Sequence, residues 1–327
     1  MASETESNGK VTSPDMLAMY KEMLFYRRFE ERANLAYTKQ KFSGFLHLHI
    51  GQEAVCVGVQ HAMQEQDYCI SAYRSHTQAI AKGIPAEQVF SELFGKVTGC
   101  SRGKGGSMHM FSKEKRFFGG HGIVGAQAPI AVGTAFAIKY KEEPAVIVCY
   151  LGDAAMNQGQ VFEAMNMAAT WSLPVLFVIE NNQYGMGTDI RRTTSVDHLY
   201  KRALGFDMEH SQFDGMNCVT VYEHIKPIIE KMRSDHKPHL AEILTYRYKG
   251  HSVSDPATYR TKEEVQEYQK KDPIAQLGTL LVSKSLASEE DLKIWDKEAK
   301  EQVKSAEQIA DKAPIPPQEE VWKHVFA

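Results

Sequence analysis

A chain of 327 residues, 43% hydrophobic and 24% charged, has room for one large α/β domain or two small ones and has an ordinary globular composition. Its net charge of -3 gives no electrostatic case for a nucleic-acid or anionic-membrane partner, and no apolar run reaches the roughly 18 residues of a membrane span. The five cysteines, Cys56, Cys69, Cys100, Cys149 and Cys218, show no CxxC spacing, which suits reduced thiols in a cytoplasmic protein better than a disulfide framework or a structural zinc.

The polar opening "MASETESNGKVT" predicts a mobile tail over 1–12, with neither a secretory core nor an arginine-rich transit pattern. Ser13-Pro14-Asp15 predicts a helix start with Ser13 as cap, and amphipathic spacing carries that helix to about Gln40. The second half of "GFLHLHIGQEAVCVGVQHAM" reads as helix, "DYCISAYRSH" as a short strand ending in Tyr73-Arg74, and 85–96 as another helix. Residues 99–127 carry many glycines without periodicity and are expected to be loop; helical spacing follows to Tyr140. "AVIVCYLGD" and "LPVLFVIENN" are apolar runs suited to strands buried on both faces of a parallel sheet, and the helical "QGQVFEAMNMAATW" lies between them. "HLAEILTYRY" predicts one more strand, leading into the polar loop "KGHSVSDPATYRT". Charged helices follow from about Lys262, with a new start at Ser288-x-x-Asp291. The expected organisation is an α/β domain over 13–285 and a C-terminal helical extension and tail over 286–327.

Two glycine loops imitate nucleotide sites. Gly120-x-Gly122-x-x-Gly125 has dinucleotide spacing, but "SKEKRFFGG" in front of it reads as no central strand, so a glycine turn into a packed helix is expected. "GCSRGKGGSMH" lacks one residue of P-loop spacing and has Gly105 where a magnesium-binding hydroxyl belongs. Among the histidines there is no HExxH; His47, His76, His121 and His251 stand out because they sit in glycine-rich or polar loops beside other chemical groups.

The strongest pair is Asp153, directly after one buried strand, and Asn182, at the end of the next. Both oxygens then reach the carboxyl edge of a parallel sheet, where open α/β sheets bind ligands. One carboxylate and one amide suit a Mg²⁺ shared with phosphate oxygens, although helix capping by Asp153 and a turn at Asn181-Asn182 account for the same residues equally well.

"GDAAMNQGQVFEAMNMAATWSLPVLFVIENNQYGMGT" resembles the thiamine-diphosphate motif, which begins Gly-Asp-Gly and ends Asn-Asn. With "GFLHLHIGQEA", "AYRSH", "RGKGGSMHMF", "GGHGIVGAQAP" and "TYRYKGHSVSDP", it makes the chain similar, over roughly 40–260, to α subunits of the thiamine-diphosphate-dependent 2-oxo acid dehydrogenase (E1) family. The resemblance implies an α/β fold, mostly parallel, flanked by helices on both faces, with helical extensions at both ends. It implies thiamine diphosphate and Mg²⁺ as cofactors. Asp153 and Asn182 would hold the metal by side chains, and Tyr184 by its carbonyl. Tyr73, Arg74 and Arg247 would hold the diphosphate, with the backbone of Gly152, Ala154 and Ala155 close to it. Gly122 and Val124 would hold the aminopyrimidine. His251 would stand beside the reacting centre and His47 on the substrate side. Implied partners are a β subunit in an α2β2 heterotetramer, a lipoylated E2 core and a small 2-oxo acid. "GIVGAQ" and "GFLHLHIGQEA" favour the pyruvate branch over the acetoin and branched-chain ones; a non-catalytic phosphate-binding module is the alternative of a different class. In eukaryotic relatives the loop of Ser252 and Ser254 is phosphorylated. One departure is Ala154 where the motif has glycine, and a negative φ is expected there.

Overall fold

The structure, a computed structural model, describes residues 11–323 and 325. The tail expected over 1–12 therefore lies outside the described residues, apart from Val11 and Thr12. Helix α1 (Ser13–Thr38) starts in a capping box: the Thr12 hydroxyl accepts from the Asp15 N–H, and the Asp15 carboxylate accepts from the Thr12 N–H. The cap is thus Thr12 and not Ser13, because only Thr12 stands three residues before a carboxylate.

The chain then forms α2 (Glu53–Ala62), β1 (Tyr68–Ala72), α3 (His76–Ala81), α4 (Ala86–Leu93), β2 (Phe117–His121), α5 (Gln127–Tyr140), β3 (Ile147–Gly152), α6 (Gly159–Trp171) and β4 (Val175–Asn181). A two-residue hairpin, β5 (Tyr184–Gly185) with β6 (Thr188–Asp189), precedes β7 (Glu209–Asp214), α7 (Cys218–Asp235) and β8 (His239–Leu244). Three helices close the chain: α8 (Lys262–Gln269), α9 (Pro273–Ser283) and α10 (Glu289–Lys312). The last starts in the expected Ser288–Asp291 capping box.

Six strands make one parallel sheet in the order β2-β1-β3-β4-β8-β7. Alternation along each strand divides its side chains between two cores. Val148, Tyr150, Leu176 and Val178 face the core shared with α1, α2, α4, α7, α9 and α10. Ile147, Cys149, Phe177 and Ile179 face the core shared with α5 and α6. The central strands are buried on both faces, which is why they read as unbroken apolar runs. Ala299, Val303 and Ala306 of α10 belong to the first core, so the C-terminal extension packs on the same hydrophobic body as α1.

One expectation fails here. Residues 117–121 are a strand and not loop. β2 lies at the sheet edge; β1 is its partner strand, with an irregular register between Cys69 and Ser71, and its outer side carries an isolated antiparallel bridge from Phe117 to Ser112. An edge strand tolerates glycines and polar neighbours that a central strand does not. Gly119 takes φ +99 there, and a Cβ on it would lie 2.1 Å from the Phe111 ring. The dinucleotide-like glycines therefore do follow a strand; what separates them from a dinucleotide loop is that the strand is at the edge of the sheet, away from its reversal point. Between Asn182 and His239, where the sequence reading names no element, the structure has β7 and α7. β7 is an edge strand with one buried residue out of six, so it carries no apolar signal.

Candidate active site at the sheet reversal point

Strand order reverses between β1 and β3: the chain from β1 runs outward to β2, and that from β3 runs the other way to β4 and β8. Ligands of open parallel sheets sit in the crevice outside the carboxyl ends at such a point. Tyr73 and Arg74 follow β1 there, Asp153 follows β3, and Asn182 follows β4. A cavity of about 250 Å³ lies between them, also lined by Ala154, Ala155, Tyr184 and Arg247. A second cavity of about 670 Å³ shares the wall of Tyr73, Val124 and Met186 and continues past Gly122 to His47 and His251. Every residue singled out from the sequence as a cofactor, metal or substrate contact thus lies on one of two adjoining cavities.

The smaller cavity is polar in an unusual way. Asp153 is buried, and its Oδ2 has no hydrogen-bond partner. Burial pushes its carboxyl up to about 6, against the opposing pull of its own N–H, Arg247 and the Asn182 N–H. Arg74 and Arg247 are buried too, and neither has a carboxylate partner among the described residues. Arg74 donates to the carbonyls of Leu48 at 2.6 Å and His251 at 2.8 Å. Burial, then the like charge of Arg247, lowers it to about 10. Arg247 donates to the carbonyls of Tyr184 (3.5 Å), Met186 (3.0 Å) and Lys249 (3.1 Å) and to the Tyr259 hydroxyl (3.0 Å). Two guanidinium groups held by carbonyls remain short of an anion.

Thiamine diphosphate and a divalent cation fit these residues on three counts. The orphaned Asp153 oxygen is of the type that suits a hard cation, and it has no competing partner. The guanidinium groups supply the complement of a diphosphate. Gly152 lines the cavity, and a Cβ there would meet no protein atom within 4 Å, so the space is left for something other than packing. Ala154 is in the short 3-10 turn Asp153–Asn157 and is absent from the residues with positive φ, as expected for the motif departure. Its methyl does have a consequence: a Cβ on Gly185 would lie 2.4 Å from it.

In the larger cavity His47 and His251 have rings 5.0 Å apart, with the Tyr73 ring 4.6 Å from the former and 5.5 Å from the latter. Burial, followed by Arg74, lowers His47 to about 2 and His251 to about 4. Both are neutral at pH 7. The His251 backbone N–H is held by Asp255 at 2.6 Å, and Asp255 also accepts from Tyr259. For His251 the unfolded chain binds more protons than the folded one between pH 6.5 and 4, so stability falls as pH falls through that window. The ring resonances of His251 are expected to titrate with a midpoint near 4 by NMR; a midpoint near 6.5 would contradict the buried, arginine-facing environment.

The remaining sequence candidates have structural work. His76 is buried, with Nδ1 3.0 Å from Glu30 and Nε2 2.9 Å from the Ser107 hydroxyl. His121 faces the Phe118 carbonyl at 3.1 Å. The P-loop-like glycine loop does surround an anion, but its own: the buried Glu92 carboxylate accepts from the N–H groups of Ser101, Gly103, Gly105 and Gly106 at 2.6–3.1 Å. The polar residues lining the smaller cavity that the sequence reading missed are Gln52, Gln127, Gln158 and Glu180. All four stood in quoted motifs, yet none has a spacing that singles it out.

Fold and site together define an α/β protein with a buried carboxylate and two buried arginines without carboxylate partners where its parallel sheet reverses order. The model of the family described as "Dehydrogenase E1 component" matches residues 21–319, and the chain belongs to that family. It is 44% identical over 317 residues to a Rickettsia bellii protein named pyruvate dehydrogenase E1 component subunit alpha, covering 97% of both chains. Proteins of the same name from Rhizobium meliloti and, as the mitochondrial form, from Sminthopsis macroura are 46% and 44% identical, over 95% and 97% of this chain and 90% and 87% of theirs.

Proposed function

We propose that the chain is the α subunit of a pyruvate dehydrogenase E1 component, which with a β subunit decarboxylates pyruvate oxidatively and passes the acetyl group to a lipoylated E2 core. The observation that carries this reading is the partnerless Asp153 oxygen facing two guanidinium groups that lack carboxylates, at the point where the sheet order reverses. Thiamine diphosphate, when bound there, supplies an electron sink for the decarboxylation of a 2-oxo acid. Asp153 and Asn182, with the Tyr184 carbonyl, would hold Mg²⁺; Arg74 and Arg247 would hold the diphosphate, and Val124 and Gly122 would line the aminopyrimidine side. His47 and His251, both neutral, line the substrate cavity, and each has a buried Nδ1 without a hydrogen-bond partner. Neutral rings can take a proton or donate to an oxygen without first losing one. The neighbouring arginines attract the carboxylate of the 2-oxo acid.

An exposed aromatic group on α5 and α6 supports a partner subunit. Phe136 stacks on Tyr140 and meets Trp171 edge-on, all three half or more open to solvent or close to it. The expected assembly is α2β2. Five free thiols support a reducing compartment, and the cytoplasm is the proposed location; no helix of the described residues is long and apolar enough to cross a membrane. The chain co-purified with its β subunit is expected to bind thiamine diphosphate only when Mg²⁺ is present, and to turn over pyruvate faster than branched 2-oxo acids or acetoin. Binding that is indifferent to a chelator would remove the metal assignment, and a preference for another substrate would remove the pyruvate one.

A further inference from the structure

Gln52 is the residue before α2, in the cap position, yet its side chain makes no capping hydrogen bond. The turn that delivers it is tightly fixed: Gly51 takes φ +101, and a Cβ on Gly51 would lie 2.4 Å from the Tyr246 carbonyl oxygen. The Gln52 side chain is fully buried and lines the 250 Å³ cavity. Its Oε1 accepts from Asn182 Nδ2 at 2.9 Å, while its Nε2 has no partner.

The orientation of both amides follows from a single backbone donor. The Tyr184 N–H points at the Asn182 side chain at 3.3 Å, so the atom it meets must be the oxygen Oδ1. Asn182 Nδ2 is then the atom turned to Gln52, and it can only meet an oxygen. The amide nitrogen of Gln52 is therefore the group left over, buried and unsatisfied, as are Asp153 Oδ2 and Gln127 Oε1 among the residues lining the same cavity. A buried N–H without an acceptor is costly, and such groups persist where a ligand completes them.

We infer that Gln52 is a further binding and positioning residue of the cofactor site: its Oε1 holds the Asn182 amide with Oδ1 available to the divalent cation, and its free Nε2–H donates to a phosphate oxygen. The inference rests on the proposed thiamine-diphosphate function. Two different contributions follow, and two substitutions separate them. Gln52→Met removes both, since a thioether neither donates nor accepts strongly. Gln52→Glu keeps an acceptor for Asn182 Nδ2 but replaces the donor by a negative charge.

The test is calorimetric titration of thiamine diphosphate into the chain assembled with its β subunit, at a series of Mg²⁺ concentrations. Gln52→Met is expected to weaken thiamine diphosphate binding about tenfold and to raise the half-saturating Mg²⁺ several-fold, in the range found for groups that orient metal ligands. Gln52→Glu is expected to leave half-saturating Mg²⁺ within about twofold of the unsubstituted protein while weakening thiamine diphosphate by about tenfold at saturating Mg²⁺. Binding and Mg²⁺ dependence both unchanged in Gln52→Met overturn the inference. Should Gln52→Met not assemble, unchanged thiamine diphosphate affinity in Gln52→Glu overturns it instead. If the unsubstituted assembly itself fails to bind thiamine diphosphate, the function proposed above falls, and this inference with it; the two failures are read from different samples.

Discussion

Asp153→Ala is expected to lower affinity for thiamine diphosphate on the order of 100-fold or more in the presence of Mg²⁺, and at the same time to raise the melting temperature of the cofactor-free protein at pH 7.5. The first effect would be the loss of the carboxylate proposed to hold the cation. The second comes from the cost of that carboxylate when nothing neutralises it. Its carboxyl is pushed up to about 6 by burial, above its ordinary 3.8. Between those values the folded chain binds more protons than the unfolded one, so the stability Asp153 contributes falls as pH rises through the window and is lowest above pH 6. The stability gain in Asp153→Ala should therefore shrink as pH is lowered from 6 to 4. A variant that loses affinity and stability together at pH 7.5 would point to misfolding instead, and would refute the description of Asp153 as a strained, ligand-ready group. Functional sites commonly hold residues that cost stability until the ligand arrives.

Glu92→Ala is expected to cost about 4 kcal/mol or more and to lower the melting temperature by roughly 10 °C. Glu92 is fully buried, and its two oxygens take four backbone N–H groups from the glycine loop 101–106. Removing it leaves four donors turned inward with no acceptor. The loop cannot close over the gap, because Gly99 and Gly103 already sit so near other backbone that a Cβ on either would come within 3 Å of it. Glu92→Gln keeps one good acceptor oxygen and should fall between the two. Differential scanning fluorimetry of the assembly decides the matter: a shift under about 2 °C for Glu92→Ala would mean that water satisfies the loop in place of the carboxylate.

The buried strands β3 and β4 were legible in the sequence because parallel strands covered on both faces are written as apolar runs, and their ends placed Asp153 and Asn182 without further help. The edge strands β2 and β7 were not, since an edge needs neither continuous apolarity nor freedom from glycine. Resemblance supplied Arg74 and Arg247, which periodicity alone could not relate: they are far apart in sequence and meet only because β1 and β8 belong to one sheet. Gln52 and Glu92 escaped for a different reason. Each acts through amide or carboxylate hydrogen bonds to atoms outside its own helix, and a polar residue at a helix end or on a helix face looks the same in sequence whether it points into water or into a site.

The methyl of Ala154 and the bare α-carbon of Gly185 share space for a single carbon. That geometry imposes an order on descent. From an ancestor with glycine at both positions, alanine could enter at either one, but not at the second once the first was taken. A lineage that fixed Ala154 thereby surrendered variation at Gly185, two positions 31 residues apart whose histories are tied by one contact.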